Sequence, residues 1–245
     1  YSLLSNSSRD MSLQHEELQP VEKYFLMLLY APDSTERFTQ PIRGKTWYQK
    51  QMFLLSKLVK ELEEESEYNA HIMGSYSEIV EEVADQFYIS GYTEKVGESI
   101  KLSFDGRKLA EGVWKKANDA DRRYVTNVKM LLNDLSYYEL LGLIYTQYPE
   151  SAVNSEKQKE VDMRRLDIAI SLLKKDKVSL ETASKIANMK TDDLLKTLRK
   201  KGIDIAELET RSILQDKSLI EEIKQSREDS DCGRLVPWAT IRNSQ

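Results

Sequence analysis

Apolar residues recur along the chain at intervals of three and four, the spacing that predicts amphipathic α-helices. The clearest stripe consists of Val21, Tyr24, Phe25, Leu28 and Leu29, in a helix predicted over 15–30 with Pro20 opening its main part. Further helices are predicted over 45–65, 105–117, 119–135, 137–148, 156–175 and 216–226, and one more runs to Ser90 from a cap at Ser75 or Ser77. The pattern therefore predicts a mainly α-helical protein.

A strand pattern is confined to one short part of the chain. Segments 92–96 and 99–103 flank Gly97-Glu98, which is the length of a tight hairpin turn. The residues before the helix that ends at Ser90, 74–77, are predicted to form a turn, with Ser75 and Glu78 in capping-box positions.

The polar, proline-flanked segment 151–155 is predicted to divide the chain into two domains, 14–150 and 156–226. Residues 1–13 are expected to be disordered or vector-derived, and 227–245 to be a disordered tail. Net charge differs between the two parts: residues 151–205 carry 13 Lys and Arg against 9 Asp and Glu, a charge of +4, whereas residues 1–150 carry −7.

A helix-turn-helix is predicted within the basic part, over 178–202. Ser179 is expected to cap a first helix, Asn188-Met189-Lys190 to form the turn, and Thr191 to cap a second helix that ends at Gly202. Asp192 and Asp193 match the positive end of the second helix dipole. The leucines of this helix are expected to be buried and its cations to face outward.

A helix that offers cations to phosphates and short polar groups to base edges is typical of a DNA-recognition helix. The predicted DNA-binding residues are Lys190, Thr191, Lys196, Thr197, Arg199, Lys200 and Lys201, with Arg43 and Lys45 forming a small additional basic patch. Two alternatives stay open: the helical pair packs only against a partner, or its basic end is an ordinary solvated helix terminus.

Residues 177–205 resemble a family of small uncharacterised prokaryotic antitoxin-like proteins. The positions that carry the resemblance are Lys177, Val178, Ser179, Ala183, Ala187, Met189, Leu194, Leu198, Gly202 and Ile203. The resemblance implies an antitoxin or a transcriptional regulator.

Residues 23–150 resemble prokaryotic winged helix-turn-helix regulators of the SocA/Panacea-like antitoxin type. The resemblance rests on 41–55, on the order of helices and hairpin, and on Gly74, Tyr76, Ser77, Val80 and Gly91, whereas Met73 and Ser75 depart from the pattern. It implies that the helix ending at Ser90 reads DNA. The acids on that helix favour protein–protein contact instead.

The fold class expected is thus mainly α: a winged helix-turn-helix domain with a β-hairpin wing, then an all-α helix-turn-helix domain. With one Cys and two His, and without a nucleotide-binding or nucleophile motif, no enzyme, metal site or cofactor is expected. No apolar run is long enough to span a membrane.

We expect a cytoplasmic homodimer that binds double-stranded DNA as a transcriptional regulator or antitoxin-like protein. The alternative is an interaction module that binds a toxin or another protein partner with little DNA contact. Tyrosines in 137–148 are expected either at a dimer surface or in a core between helices.

Overall fold

The computed structural model describes residues 18–71 and 74–203. Its helices are α1 (Pro20–Tyr30), α2 (Lys45–Ser56), α3 (Lys60–Ser66), α4 (Glu78–Ile89), α5 (Phe104–Lys116), α6 (Asp119–Leu132), α7 (Tyr137–Gln147), α8 (Gln158–Lys174), α9 (Leu180–Ala187) and α10 (Thr191–Lys200). The strands are β1 (Asn69–His71), β2 (Gly74–Tyr76), β3 (Thr93–Val96) and β4 (Ser99–Leu102). The segments predicted over 1–13, 216–226 and 227–245 lie outside the described residues.

The mainly helical prediction is confirmed, and several helices begin where a short polar side chain can cap them. Ser77, Ser103 and Asn118 each accept a hydrogen bond from the backbone N–H three residues later, at 3.1, 3.0 and 2.8 Å. Such bonds satisfy amide groups that the first helical turn leaves without partners. Local sequence chemistry therefore fixes these starting points.

The single helix predicted over 45–65 is wrong, because the chain breaks between α2 and α3. Val59 adopts an extended conformation, with φ −124° and ψ 109°. The break turns α3 back against α1 and α2 and buries Leu62 completely. Lys57, next to the break, pairs with Glu63 at 2.8 Å. The helical pattern of the sequence continues through Val59, but the broken chain buries Leu62 against α1 and α2. Tertiary packing therefore outweighs the local helical preference.

The turn predicted at 74–77 is also wrong in part, because residues 69–76 contain a two-stranded antiparallel pair, β1 with β2. Ser75 lies in β2, so the predicted capping box with Glu78 does not form; Ser77 caps α4 instead. The buried Lys50 ammonium donates a hydrogen bond to the Ser75 carbonyl oxygen at 2.7 Å. A polar side chain of α2 thus satisfies the backbone of this strand.

The second hairpin has the predicted position. β3 pairs with β4 in antiparallel register around Gly97, whose φ is +60°. Ile42, from the loop before α2, forms a bridge with Ile100 through backbone hydrogen bonds of 2.9 and 2.8 Å. The hairpin is therefore tied to the chain that precedes α2.

Helix α1 lies at the centre of the N-terminal part. Every residue from Tyr24 to Leu29 is at most 1% exposed, and α3, α4, α5 and α6 all pack around the helix. Lys129 of α6, itself fully buried, donates hydrogen bonds to the carbonyl oxygens of Leu29 at 3.1 Å and Ala31 at 2.8 Å. This ammonium group satisfies carbonyl groups of two buried residues at the end of α1.

Helices α7 and α8 pack closely across the segment predicted as a domain boundary. A Cβ on Gly142 would lie 2.9 Å from a methyl carbon of Ile168, so only glycine permits this approach. Ser151 and Ala152, which lie between the two helices, are both buried. Tyr145 is buried within the chain as well. The division into two domains stays a prediction, although the segment itself is packed.

Lys129 provides a test of this core, because its buried side chain is the hydrogen-bond donor to two backbone carbonyl groups. Burial also lowers the pKa of Lys129 to about 7. We expect Lys129→Met to lower the free energy of unfolding at pH 8 by about 1–3 kcal/mol, since two buried carbonyl groups lose their donor. The measurement is urea unfolding followed by circular dichroism. Lys116→Met, at an exposed position of α5, should change little; equal losses in both variants would contradict the assigned role.

The same lysine predicts a pH dependence. Its folded pKa lies below the 10.5 of an unperturbed lysine, so the unfolded chain binds more protons between these values and stability rises with pH in that window. Lys50, with its pKa lowered to about 7 by burial, contributes in the same direction. The rise from pH 7 to 9 should be smaller in Lys129→Met than in the natural sequence.

Candidate nucleic-acid interface

Helices α8, α9 and α10 form a compact unit in which each helix ends with a left-handed residue. Asp176, Asn188 and Gly202 have φ values of +53°, +51° and +69°. After each helix, two or three backbone N–H groups return to carbonyl groups of its last turn, at 2.9–3.1 Å. This hydrogen-bonding pattern ends a helix and reverses the chain over few residues.

The turn between α9 and α10 has the predicted geometry. Ser179 caps α9 by accepting a hydrogen bond from the Thr182 N–H at 3.2 Å. Asn188 adopts the left-handed conformation, which asparagine tolerates better than most residues. Ala183 is fully buried, which lets neighbouring helices approach α9 closely.

The prediction that Thr191 caps α10 is wrong. Lys190 occupies the capping position without a side-chain hydrogen bond, and Thr191 is the first helical residue. Its hydroxyl group instead lies 3.2 Å from the hydroxyl group of Ser184 on α9. Thr191 therefore joins the two helices and is half-buried there.

Two leucines fix the rotation of α10 about its axis. Leu194 and Leu198 are fully buried, while Leu195 is half-buried. With about 3.6 residues per helical turn, Lys196 lies almost opposite the two buried leucines, and Arg199 and Lys200 flank that outward side. All three cations are exposed.

The predicted cations of α10 differ in their local partners. Lys196 pairs with Asp193 at 3.3 Å, and both side chains are more than half exposed, so this pair is weak. Thr197 directs its hydroxyl group to the Asp193 carbonyl oxygen at 2.8 Å. Within residues 18–71 and 74–203, Lys190, Arg199, Lys200 and Lys201 are exposed and make no ion pair.

Arg43 and Lys45 belong to a different surface, near the start of α2. Arg43 donates a hydrogen bond to the Leu135 carbonyl oxygen at 3.4 Å, and its guanidinium group lies over the Trp47 ring. Lys45 pairs with Glu81 of α4. None of these contacts involves α9 or α10, so the structure does not join this patch to the main cluster.

One groove lies at the turn before α10 and another at the residues that follow it, and α8 contributes to the lining of both. The first, of about 640 Å³, is lined near the α9–α10 turn by Arg165, Lys185 and Lys190 among others. The second, of about 430 Å³, is lined by Lys174, Lys201 and four further residues. Lys174 was missed in the sequence because it is 27 positions from Lys201 and no local pattern links them.

The basic helices are held to the rest of the chain through the corner between α6 and α7. Glu139, 5% exposed, pairs with Lys175 at 2.7 Å and accepts hydrogen bonds from Ser171 and from the Ser136 N–H. Burial disfavours the charged carboxylate, but these hydrogen bonds outweigh burial and lower the pKa of Glu139 to about 2.

A second ion pair strengthens this attachment. Lys177 lies 2.9 Å from an oxygen of Asp134 and donates a hydrogen bond to the Met130 carbonyl oxygen at 2.6 Å. Both anchoring lysines come from the end of α8 or the loop behind it. Their positive charges are paired with the carboxylates of Glu139 and Asp134.

The outer face of α4 has the opposite charge. Glu78, Glu82 and Asp85 are exposed, and Glu81 is half-exposed beside Lys45. At the end of the same helix Ile89 is 82% exposed, and Tyr88 lies under the Lys95 ammonium group of β3. This face combines negative charge with exposed apolar side chains.

In the part of the chain that the structure describes, no helix is both long and apolar enough to cross a membrane. Within the same residues, no group of three His, Cys, Asp or Glu side chains is arranged to hold a metal ion.

Glu139 tests the attachment of the basic helices. We expect Glu139→Gln to lower the free energy of unfolding at pH 7 by about 1–3 kcal/mol, because hydrogen bonds to a charged group are lost. Since the folded pKa is below the ordinary 4.5, its stabilisation is complete above about pH 4.5 and is lost as pH falls through about 2. Acid unfolding should therefore be less pH-dependent in the variant.

The matched control is Glu82→Gln, at an exposed carboxylate of α4. The two variants, Glu139→Gln and Glu82→Gln, are each compared with the natural sequence by urea unfolding from pH 7 down to pH 3. An unchanged unfolding free energy in Glu139→Gln would show that this carboxylate does not hold the two parts together.

Comparison with known proteins locates a related segment in the same region. Residues 144–222 match the Uncharacterised protein family (UPF0175). The match begins in the last turn of α7 and includes α8, α9 and α10. Neither a curated protein nor a solved structure matches the chain. The segment that carries the basic helices is thus similar to a family of small uncharacterised proteins.

Proposed function

We propose that this protein binds double-stranded DNA through a helix-turn-helix formed by α9 and α10, as a transcriptional regulator or antitoxin-like protein. The observation that carries the proposal is the exposure of Arg199, Lys200 and Lys201 without an ion pair among the described residues. Unpaired cations on an outward helix face attract the phosphate backbone, and binding releases counterions from the DNA.

The acids of α10 restrict how the helix approaches DNA. Asp192 and Asp193 lie in its first turn, where they favour the helix dipole and repel phosphates. Within α10 itself, the phosphate contacts therefore come from the second half of the helix, and Lys196 retains access because its pair with Asp193 is exposed. Thr197 is the short polar side chain nearest to these cations in sequence.

The order of elements in the N-terminal part supports a winged-helix interpretation of residues 20–102. Helix α1, the Ile42 bridge, α2, α4 and the β3–β4 hairpin follow one another as in that fold, with α3 and the β1–β2 hairpin inserted. In this interpretation α4 is the equivalent of a recognition helix. We include a homodimer in the proposal, because helix-turn-helix proteins commonly read paired half-sites.

The proposal is tested by combining Lys196→Gln, Arg199→Gln and Lys200→Gln in the full chain. Affinity is measured by fluorescence anisotropy against its own upstream DNA and an unrelated duplex, between about 50 and 200 mM salt. We expect tighter binding by the natural sequence, with the salt dependence reduced by about one unit per lost phosphate contact in the variant.

The control replaces Lys60, Lys115 and Lys116, which lie on α3 and α5, with glutamine and so changes the net charge equally. Equal loss of binding in both triple variants would show that binding depends only on net charge, and would contradict the assignment of the site to α10. Binding of neither duplex by the natural sequence, or binding that is insensitive to salt, would contradict the proposed function.

A second candidate function, binding of a toxin or other protein with little DNA contact, is favoured by the outer face of α4. Glu78, Glu82 and Asp85 make that face a poor phosphate surface, and the exposed Ile89 beside them is suited to a protein interface. A partner with a basic surface that surrounds an apolar pocket would complement this face.

For this candidate we expect a basic protein, identified from a nuclease-treated pull-down and then purified, to bind the natural sequence and to lose affinity at least tenfold for Ile89→Asp. Phe38→Asp, at another exposed apolar side chain, serves as the control. The two affinities are measured by titration calorimetry. A partner that binds Ile89→Asp and the natural sequence equally would exclude the α4 face as its site.

A further inference from the structure

We infer that α8 and α9 supply a second line of DNA-backbone contacts, with Lys174 of α8 and Lys201 in one groove after α10, and Lys185 of α9 and Lys190 in another groove before it. The inference rests on the proposed function and extends it to Lys174 and Lys185, which the sequence pattern did not indicate. Its basis is a pair of grooves, each lined in part by α8, at the turn before α10 and at the residues after it.

The groove at the end of α10 brings together two cations from separate elements. Lys174 comes from the last turn of α8 and Lys201 from the residue after α10; both are exposed and neither is ion-paired within the described residues. Ile170 and Ile203 line the same groove, and its one acid, Asp167, leaves it with a net positive charge. Apolar walls strengthen the attraction between these ammonium groups and an anion.

The groove at the α9–α10 turn has the same character. Lys190 makes no ion pair within the described residues, and Lys185 pairs with Glu181 only across an exposed helix face. Arg165 also lines this groove, paired with Asp162 at 2.7 Å. Three cations against one acid again give a positive cavity.

The spacing of the two grooves matches a duplex better than a small ligand. They lie at opposite ends of α10, whose ten residues span about 15 Å at 1.5 Å per residue. The major groove of DNA is about 12 Å wide, so phosphates on its two edges are separated by a similar distance. A helix inserted there would meet one backbone at each end.

The test uses the full chain and a fluorescein-labelled duplex of about 30 base pairs, roughly three helical turns. Lys174→Gln and Lys185→Gln are each compared with Lys159→Gln, an exposed lysine of α8 that lines neither groove. We expect each of the first two to weaken binding several-fold and to reduce the salt slope by about 0.9, as loss of one phosphate contact does.

Lys174→Arg should retain the slope of the natural sequence, which separates a loss of charge from a disturbance of α8. A groove variant that binds DNA as Lys159→Gln does overturns the assignment for its own groove, while the proposed function stands if the α10 triple variant still weakens binding. Failure of the natural sequence to bind any duplex overturns both the proposed function and this inference.

Discussion

Burial of Leu194 and Leu198 fixes the side of α10 that faces solvent. Because both side chains are removed from water, α10 has one rotation about its axis, and the cations between and after them must face outward. The left-handed Asn188 makes this arrangement possible, since it reverses the chain within three residues and brings α10 back against α9. Burial of the apolar side of this ten-residue helix thus exposes its polar side to solvent.

Close helix packing and two ion pairs join the basic unit of α8, α9 and α10 to the acidic N-terminal part. Gly142 lets α8 lie directly against α7, and Glu139 and Asp134 hold Lys175 and Lys177 at the adjoining corner. These two lysines are used for attachment, while Lys174, one residue before Lys175, is exposed and makes no ion pair within the described residues. Neighbouring lysines therefore differ in whether a carboxylate of the α6–α7 corner lies within reach.

Charge divides the surface between two kinds of partner. Helix α4 presents acids and the exposed Ile89, whereas α10 presents Arg199 and Lys200, which make no ion pair within residues 18–71 and 74–203. A polyanion is attracted to the second face and repelled by the first, so the two proposed functions use different surfaces and need not compete. The arrangement is compatible with a protein that holds DNA with its C-terminal helices and a protein partner with its N-terminal part.

The sequence alone determined several features that depend on neighbouring residues: the serine cap at Ser179, the β3–β4 hairpin around Gly97, and the turn at Asn188. For α4 it left the cap open between Ser75 and Ser77. Tertiary structure decided the break at Val59, the β1–β2 pairing supported by Lys50, and the placement of Lys174 and Lys201 in one groove. Caps and turns follow from hydrogen bonds within a few residues, which a local pattern records. The others arise because distant side chains must share one core or one groove, and no local spacing records that requirement.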